Sequence, residues 1–225
     1  MVSIFKVSLA QLKNIPTERI HNSLNEDEGR ELATITENQH KTRYMESVFL
    51  KKAILSKYLK ITMDAVHLCK QKLGKPTLIS PKNSLDFNVA HSNNFFVCAI
   101  ADSGLIGVDV EEINEIDLQT ALEFCCNSEL VHLNTCNDIE RRINFFKLWT
   151  LKEAYVKAIG KGLSYPLKYI CFDLMDLSSV KIKGNASKKW LFNINKVDNY
   201  ILSICTSEKI NKDDIVHKNF DLNEF

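Results

Sequence analysis

The chain has 225 residues, 45 % of them apolar and 25 % charged, with a formal net charge of +1. Such a chain buries one core or two small halves, and its balanced charge excludes a general attraction to nucleic acid or to a membrane surface. No run approaches the ~18 apolar residues of a membrane span, and Met1-Val2-Ser3-Ile4-Phe5-Lys6 has no signal-peptide organisation.

Residues 2–9 alternate as a strand. Asn25 to Glu37 reads as a charged helix and His40 to Leu59 as a longer one, with Tyr44, Val48, Leu55 and Leu59 on its inner side. Gly74-Lys75-Pro76 marks a loop. Asp86 to Ser92 and Phe95 to Ala101 read as strands, and Asp102-Ser103-Gly104 as the turn that follows. Leu105 to Glu111 is a further strand, 117–134 a helix and 143–160 another. Tyr169–Leu174, Val180–Lys183, Trp190–Asn195 and Tyr200–Thr206 complete the strands, and the charged tail after Ser207 is expected to be loosely attached. The order of strand, two helices and several strands occurs twice, with the change near Ser103-Gly104, although no residue-level repeat is evident.

The seven cysteines are odd in number and lack framework spacing, which points to free thiols in a reducing cytoplasm. Cys125, Cys126, His132 and Cys136 include soft metal ligands but no C-x-x-C pair, and small buried residues on a helix account for them as well.

Two stretches carry chemistry. In Phe145 to Gly162, Leu148, Leu151, Tyr155 and Ile159 form an apolar helical stripe. Trp149, Glu153 and Lys157 follow at i, i+4, i+8 on a neighbouring face, with Lys152 beside them. In Leu105 to Glu111 the alternation turns Val108 and Val110 one way and Asp109 and Glu111 the other. The two carboxylates then lie roughly 7 Å apart on one face, a repulsion of about 2–3 kcal/mol at an effective dielectric near 20. A divalent cation held by hard oxygen ligands relieves it, and Mg²⁺ suits such ligands. The bland alternatives are a solvated strand and a helix face of Glu–Lys pairs.

Gly107-Val108-Asp109-Val110-Glu111 together with Trp149-x-x-Lys152-Glu153-Ala154-x-x-Lys157 resembles the paired motifs of the 4′-phosphopantetheinyl transferases of the surfactin-synthetase-activating type. Phe87-Asn88-Val89-Ala90-His91-Ser92 and the Gly-Lys-Pro loop resemble further elements of that family, and the likeness spans roughly residues 25 to 205. It implies an α+β fold of two similar halves packed as a pseudo-dimer, 1–103 contributing to coenzyme A binding and 104–225 bearing the metal and catalytic residues.

The resemblance also implies a reaction. The phosphopantetheine arm of coenzyme A passes to a serine of an apo acyl or peptidyl carrier protein, with Mg²⁺ as cofactor and adenosine 3′,5′-bisphosphate released. The expected enzyme is a cytoplasmic monomer with no nucleic-acid or membrane partner. Asp109, Glu111 and Glu153 are the implied metal ligands, with Glu153 as base or ligand only. Arg43, His91 and Ser92 are the implied phosphate holders, and Lys75 and Pro76 border the adenine, largely through backbone groups. Lys157 meets the phosphates or the departing group, Lys152 does the same or points at solvent, and Trp149 walls the pantetheine channel or belongs to the core.

The chain departs from the family in two places. Residues 26–31 hold four acids and only Arg30 where relatives carry basic residues, so Lys41 is a candidate substitute. Glu112 to Asp117 is acidic where a carrier is received, and like charges disfavour an acidic one. A non-reacting binding module would account for less, since all three acids and Lys157 are retained. A nuclease-like phosphoryl-transfer enzyme would leave the Gly-Lys-Pro and His-Ser elements unexplained.

Overall fold

The structure, a computed structural model, describes residues 1–82, 85–162, 164–182, 190–207 and 214–225. Strand β1 (Val2–Ser8) leads through a 3₁₀ turn to helices α1 (Thr17–Asn22), α2 (Glu26–Thr34) and α3 (Asn38–Leu59). The hairpin β2 (His67–Lys70) and β3 (Pro76–Ser80) follows, then β4 (Asp86–Ser92) and β5 (Phe95–Ala101). The same order then recurs. Strand β6 (Ile106–Glu112) leads to α4 (Leu118–Phe124), α5 (Asn127–Thr135) and α6 (Asp138–Ile159). The hairpin β7 (Ile170–Asp173) and β8 (Asp176–Ile182) comes next, then β9 (Leu191–Val197) and β10 (Tyr200–Thr206). Of the strand expected over Val180–Lys183, Lys183 lies outside the described residues.

The sheets repeat as well. The order β1-β5-β4 in the first half matches β6-β10-β9 in the second, with antiparallel pairing throughout. The fold is therefore mixed α+β, built from one supersecondary unit used twice.

The repeat extends to single atoms. In the first half Lys52 Nζ donates to Glu28 Oε2 at 2.6 Å and to the Ser23 carbonyl at 2.7 Å, while Glu28 Oε2 also accepts from the Asn25 N–H at 2.8 Å. In the second, Lys152 Nζ donates to Glu129 Oε2 at 2.6 Å and to the Phe124 carbonyl at 2.7 Å, and Glu129 Oε2 accepts from the Cys126 N–H at 2.8 Å. In both halves a lysine on the long helix fastens the N-terminus of the preceding helix, whose third residue caps it.

Each half has its own core, α3 over β1, β5 and β4 in one and α6 over β6 and β10 in the other. A third cluster, with Val2, Ile4, Val108, Val110, Leu202 and Ile204 among its members, lies between the sheets. Strand β4 also satisfies the free edge of β6. Asp86 Oδ2 accepts from the Ile106 N–H (2.8 Å), Asn88 Oδ1 from Val108 N–H (3.0 Å) and Ser92 Oγ from Glu112 N–H (3.1 Å). Period-two alternation puts all three on one face of β4. Gly107 lets α6 lie directly on β6, since a Cβ there would stand 1.9 Å from the Ala154 carbonyl oxygen.

Four expectations change. The helix expected over 117–134 is two, broken at Cys125-Cys126. The break turns the Phe124 carbonyl toward Lys152 and lets Glu129 cap α5. Helix α6 starts earlier than 143, at Asp138, because Asn137 Oδ1 accepts from the Glu140 N–H at 3.0 Å.

The tail is not loose where it is described. Strand β11 (Ile215–Asn219) pairs in parallel with β1, and Phe220 and Leu222 are buried in the first half's core. The segment 104–225 therefore contributes its last strand to the first half, while 208–213 lie outside the described residues. Cys126 and Cys171 form a disulfide, against the expectation that all seven thiols are free. Among the described residues no helix is long and apolar enough to cross a membrane.

Candidate functional site

The site lies where β6 and α6 of the second half meet the end of β4 from the first. Asp109 and Glu111 project from β6 toward α6, and Val108 and Val110 enter the cluster between the sheets. Asp109 is not the solvated acid of the bland reading, for only 4 % of it is exposed. Its Oδ1 accepts from Lys157 Nζ at 2.6 Å, while its Oδ2 is buried without a donor. Glu153, 6 % exposed and one helical turn before Lys157, likewise has a buried Oε1 with no partner. Glu111 accepts from Ser92 Oγ at 2.8 Å.

Three carboxylates share one wall against one ammonium, and their acidities show it. Burial, opposed by Lys157, pushes the Asp109 pKa up. Burial and then the Asp109 charge push up those of Glu153 and Glu111. Two orphaned oxygens in a desolvated acidic wall fit a hard cation in donor chemistry. Even so, among the described residues no three carboxylate, imidazole or thiol groups are gathered into a finished metal cage.

Across from this wall, Arg43, His91 and Ser92 line a cavity of about 180 Å³ with Glu46, Ser47 and Asn93. Desolvation, then the Lys157 and Arg43 cations, lower the His91 pKa, so the imidazole is neutral at pH 7. The expected residues Asp109, Glu111, Glu153, Lys157, Trp149, His91, Ser92 and Arg43 thus form one connected region. Trp149 packs edge-on against Phe124, ring centroids 5.0 Å apart, at the margin of the second half's core.

Lys152 stands elsewhere than expected. Lys152 faces neither phosphate nor solvent. It is 0 % exposed, and its ammonium is used by Glu129 and the Phe124 and Leu167 carbonyls. Desolvation lowers its pKa, with Glu129 opposing. It is a tie between α6 and α5, the twin of Lys52. The Lys75 ammonium is also committed, to Asp86 Oδ2 (2.5 Å) and to the carbonyls of Ile106 (3.1 Å) and Ala158 (3.3 Å). It fastens β4, β6 and the end of α6 at the seam between the halves, which leaves only the backbone of Lys75 and the ring of Pro76 for a ligand.

The acids of 26–31 are largely structural as well. Glu28 pairs with Lys52, and Glu31 accepts from Lys70 and from Tyr44 Oη. Lys41, proposed as a substitute there, sits in the first turn of α3, where its N–H bonds the Glu37 carbonyl. Sequence reasoning missed the seam residues Asp86, Asn88 and Gly107 and the buried Thr150–Ser203 hydroxyl pair (2.7 Å) on the register partner of Asp109. The alternating polar residues of β4 were the available signal.

The Cys125, Cys126, His132 and Cys136 group forms no metal site. Cys125 is buried in the core, Cys126 is in the disulfide, and His132 Nε2 stands 3.9 Å from Cys136 Sγ.

Residues 105–205 match the family model described as 4′-phosphopantetheinyl transferase superfamily, and residues 16–103 match that described as 4′-phosphopantetheinyl transferase, N-terminal. The 4′-phosphopantetheinyl transferase gsp of Aneurinibacillus migulanus is 34 % identical over 58 % of this chain and 54 % of its own length. The 4′-phosphopantetheinyl transferase Sfp of Bacillus subtilis is 32 % identical over 52 % of each. Over these first relatives the chain spans about half their length. The match to slr0495 of Synechocystis sp., a protein named for the same activity, is broader, 30 % identical over 76 % of this chain and 74 % of that one. On the repeated fold, the shared motifs and these matches, the chain belongs to the 4′-phosphopantetheinyl transferase superfamily.

Proposed function

We propose that the protein transfers the 4′-phosphopantetheine arm of coenzyme A to a serine hydroxyl of an apo acyl or peptidyl carrier protein, in the cytoplasm and as a monomer. The observation that carries this reading is the convergence of Asp109, Glu111, Glu153 and Lys157 from the second half on Arg43, His91 and Ser92 from the first.

In this reading Arg43 and His91 hold the 3′-phosphate end, a guanidinium being suited to bidentate phosphate contacts. Lys157 meets the diphosphate as a point charge. Asp109, Glu111 and Glu153 are the residues that would hold Mg²⁺, which would offset the charge of the diphosphate. The carrier serine Oγ forms the new bond to the phosphorus that bears pantetheine, and the bond from that phosphorus to the adenosine-side phosphate oxygen breaks. The serine proton passes to a Glu153 carboxylate oxygen, whose raised pKa suits a proton acceptor. The departing adenosine 3′,5′-bisphosphate keeps the electron pair and the Lys157 contact. Trp149 walls the pantetheine side.

The rim beside Glu111 is acidic. Asn93 donates to Glu112, and Glu115 pairs with Arg142 at 2.6 Å. A carrier with few acids around its serine fits this rim better than a strongly acidic one.

The test is the intact mass of several apo carriers after incubation with the protein, coenzyme A and Mg²⁺. A gain of one phosphopantetheine on at least one carrier is expected. No gain on any acyl or peptidyl carrier defeats the proposal.

A further inference from the structure

Lys157 does more here than wait for a phosphate. Its Nζ lies 2.6 Å from Asp109 Oδ1, and among the described residues it is the one ammonium bonded to this acidic wall. Asp109 Oδ2 and Glu153 Oε1, both buried, have no donor at all, and the three acids are not gathered around a common centre. The wall is therefore neutralised by one charge where its carboxylates bear three. The Lys157 side chain is 30 % exposed, so unlike Lys152 it is free to swing. Beside it lies the cavity lined by Arg43, His91 and Glu46, whose one carboxylate already has the Arg43 charge beside it.

Resting on the function proposed above, we infer that Lys157 is a resident counter-ion that a divalent cation must displace from Asp109, and that this exchange makes cation and diphosphate bind cooperatively. Alone, the cation has to strip a bound ammonium from Asp109 and leave it between the cation itself and Arg43, which weakens its binding. With a diphosphate present, the displaced ammonium gains phosphate oxygens, and the penalty disappears. Linkage requires the reciprocal effect, so that the cation tightens coenzyme A by the same factor.

The test uses Mn²⁺ titrated calorimetrically into the full chain, with and without coenzyme A, for the wild type, Lys157→Gln and Lys157→Met. Far-ultraviolet circular dichroism of each variant establishes that it is folded. In the wild type, coenzyme A should tighten Mn²⁺ about 5- to 150-fold, the usual span of coupling between sites. Without coenzyme A, both variants should bind Mn²⁺ roughly tenfold more tightly than the wild type, and coenzyme A should improve their Mn²⁺ affinity far less. Variants that bind Mn²⁺ no more tightly than the wild type, or that keep the full effect of coenzyme A, overturn the counter-ion role and leave the transferase reading standing. A wild type that binds no Mn²⁺ in either condition overturns both.

Discussion

Glu153 shows most clearly how a residue can be costly to the fold and useful to the chemistry. Its buried, donorless oxygen and raised pKa mean that the unfolded chain ionises first, so this group loses stability as pH rises through its unfolded value toward its folded one. Glu153→Gln is predicted to raise the melting temperature of the metal-free protein near pH 7, by about 1–2 kcal/mol of stability, while transfer to a carrier falls by orders of magnitude. A variant that melts lower would show that the carboxylate is already satisfied.

Lys51 is the basic counterpart in the first half, where Glu28 and Glu31 lie near it and only partly offset its burial. It is 9 % exposed, and burial, then the Lys70 charge, lower its pKa to about 8. The unfolded value near 10.4 lies above that, so between about pH 8 and 10 the unfolded chain binds more protons and stability rises with pH. Lys51→Met should stabilise the protein at pH 7 by about 1–3 kcal/mol and flatten that rise, as denaturant titrations at pH 7 and pH 9.5 would reveal. An unchanged slope removes the assignment.

Gly107 is the steric case. Alanine there drives a Cβ into the backbone of α6, and a loss of at least about 3 kcal/mol is expected by chemical denaturation. A loss below about 1 kcal/mol would mean that the helix can retreat from the strand.

At the level of elements, legibility followed local pattern. Strand β6 announced itself by alternation and α6 by its apolar stripe, and both carry the acids where those periods place them. Which way Lys152 points was not legible, because its partner Glu129 lies on another helix and depends on a chain break at Cys125-Cys126 that has no glycine or proline to mark it. The same holds for Lys75, whose partners come from β4, β6 and α6. Long-range partners decide whether a lysine is a ligand or a strut, and spacing along one element does not reveal them. The strut assignment has its own test. Lys152→Ala leaves Glu129 buried and uncompensated and should cost about 3–5 kcal/mol by chemical denaturation. A loss below about 1 kcal/mol would contradict the strut.

For the molecule as a whole, the repeat was legible as an order of elements and illegible as residues, since its two copies share struts and not sequence. The paired Lys–Glu ties are preserved, while Phe5 and Val7, on the strand that matches β6 in sheet order, pack into an apolar core. One copy thus supplies Arg43, His91 and Ser92, the other the acidic wall, and the candidate site lies where they meet. The closing strand binds the copies further. Deleting 214–225 removes β11, Phe220 and Leu222 from the first half and should lower stability by several kcal/mol, at about 1.5–3 kcal/mol for each large apolar side chain lost from a core.

The account as a whole is tested most directly by the mass of a carrier protein that the wild type has been shown to modify, after incubation with coenzyme A and Mg²⁺ and either the wild type or a folded Asp109→Asn variant. The account predicts quantitative addition of one phosphopantetheine with the wild type and a carrier left at its starting mass with the variant. Equal conversion by both would contradict the claim that chemistry is organised on the acidic wall between the two halves.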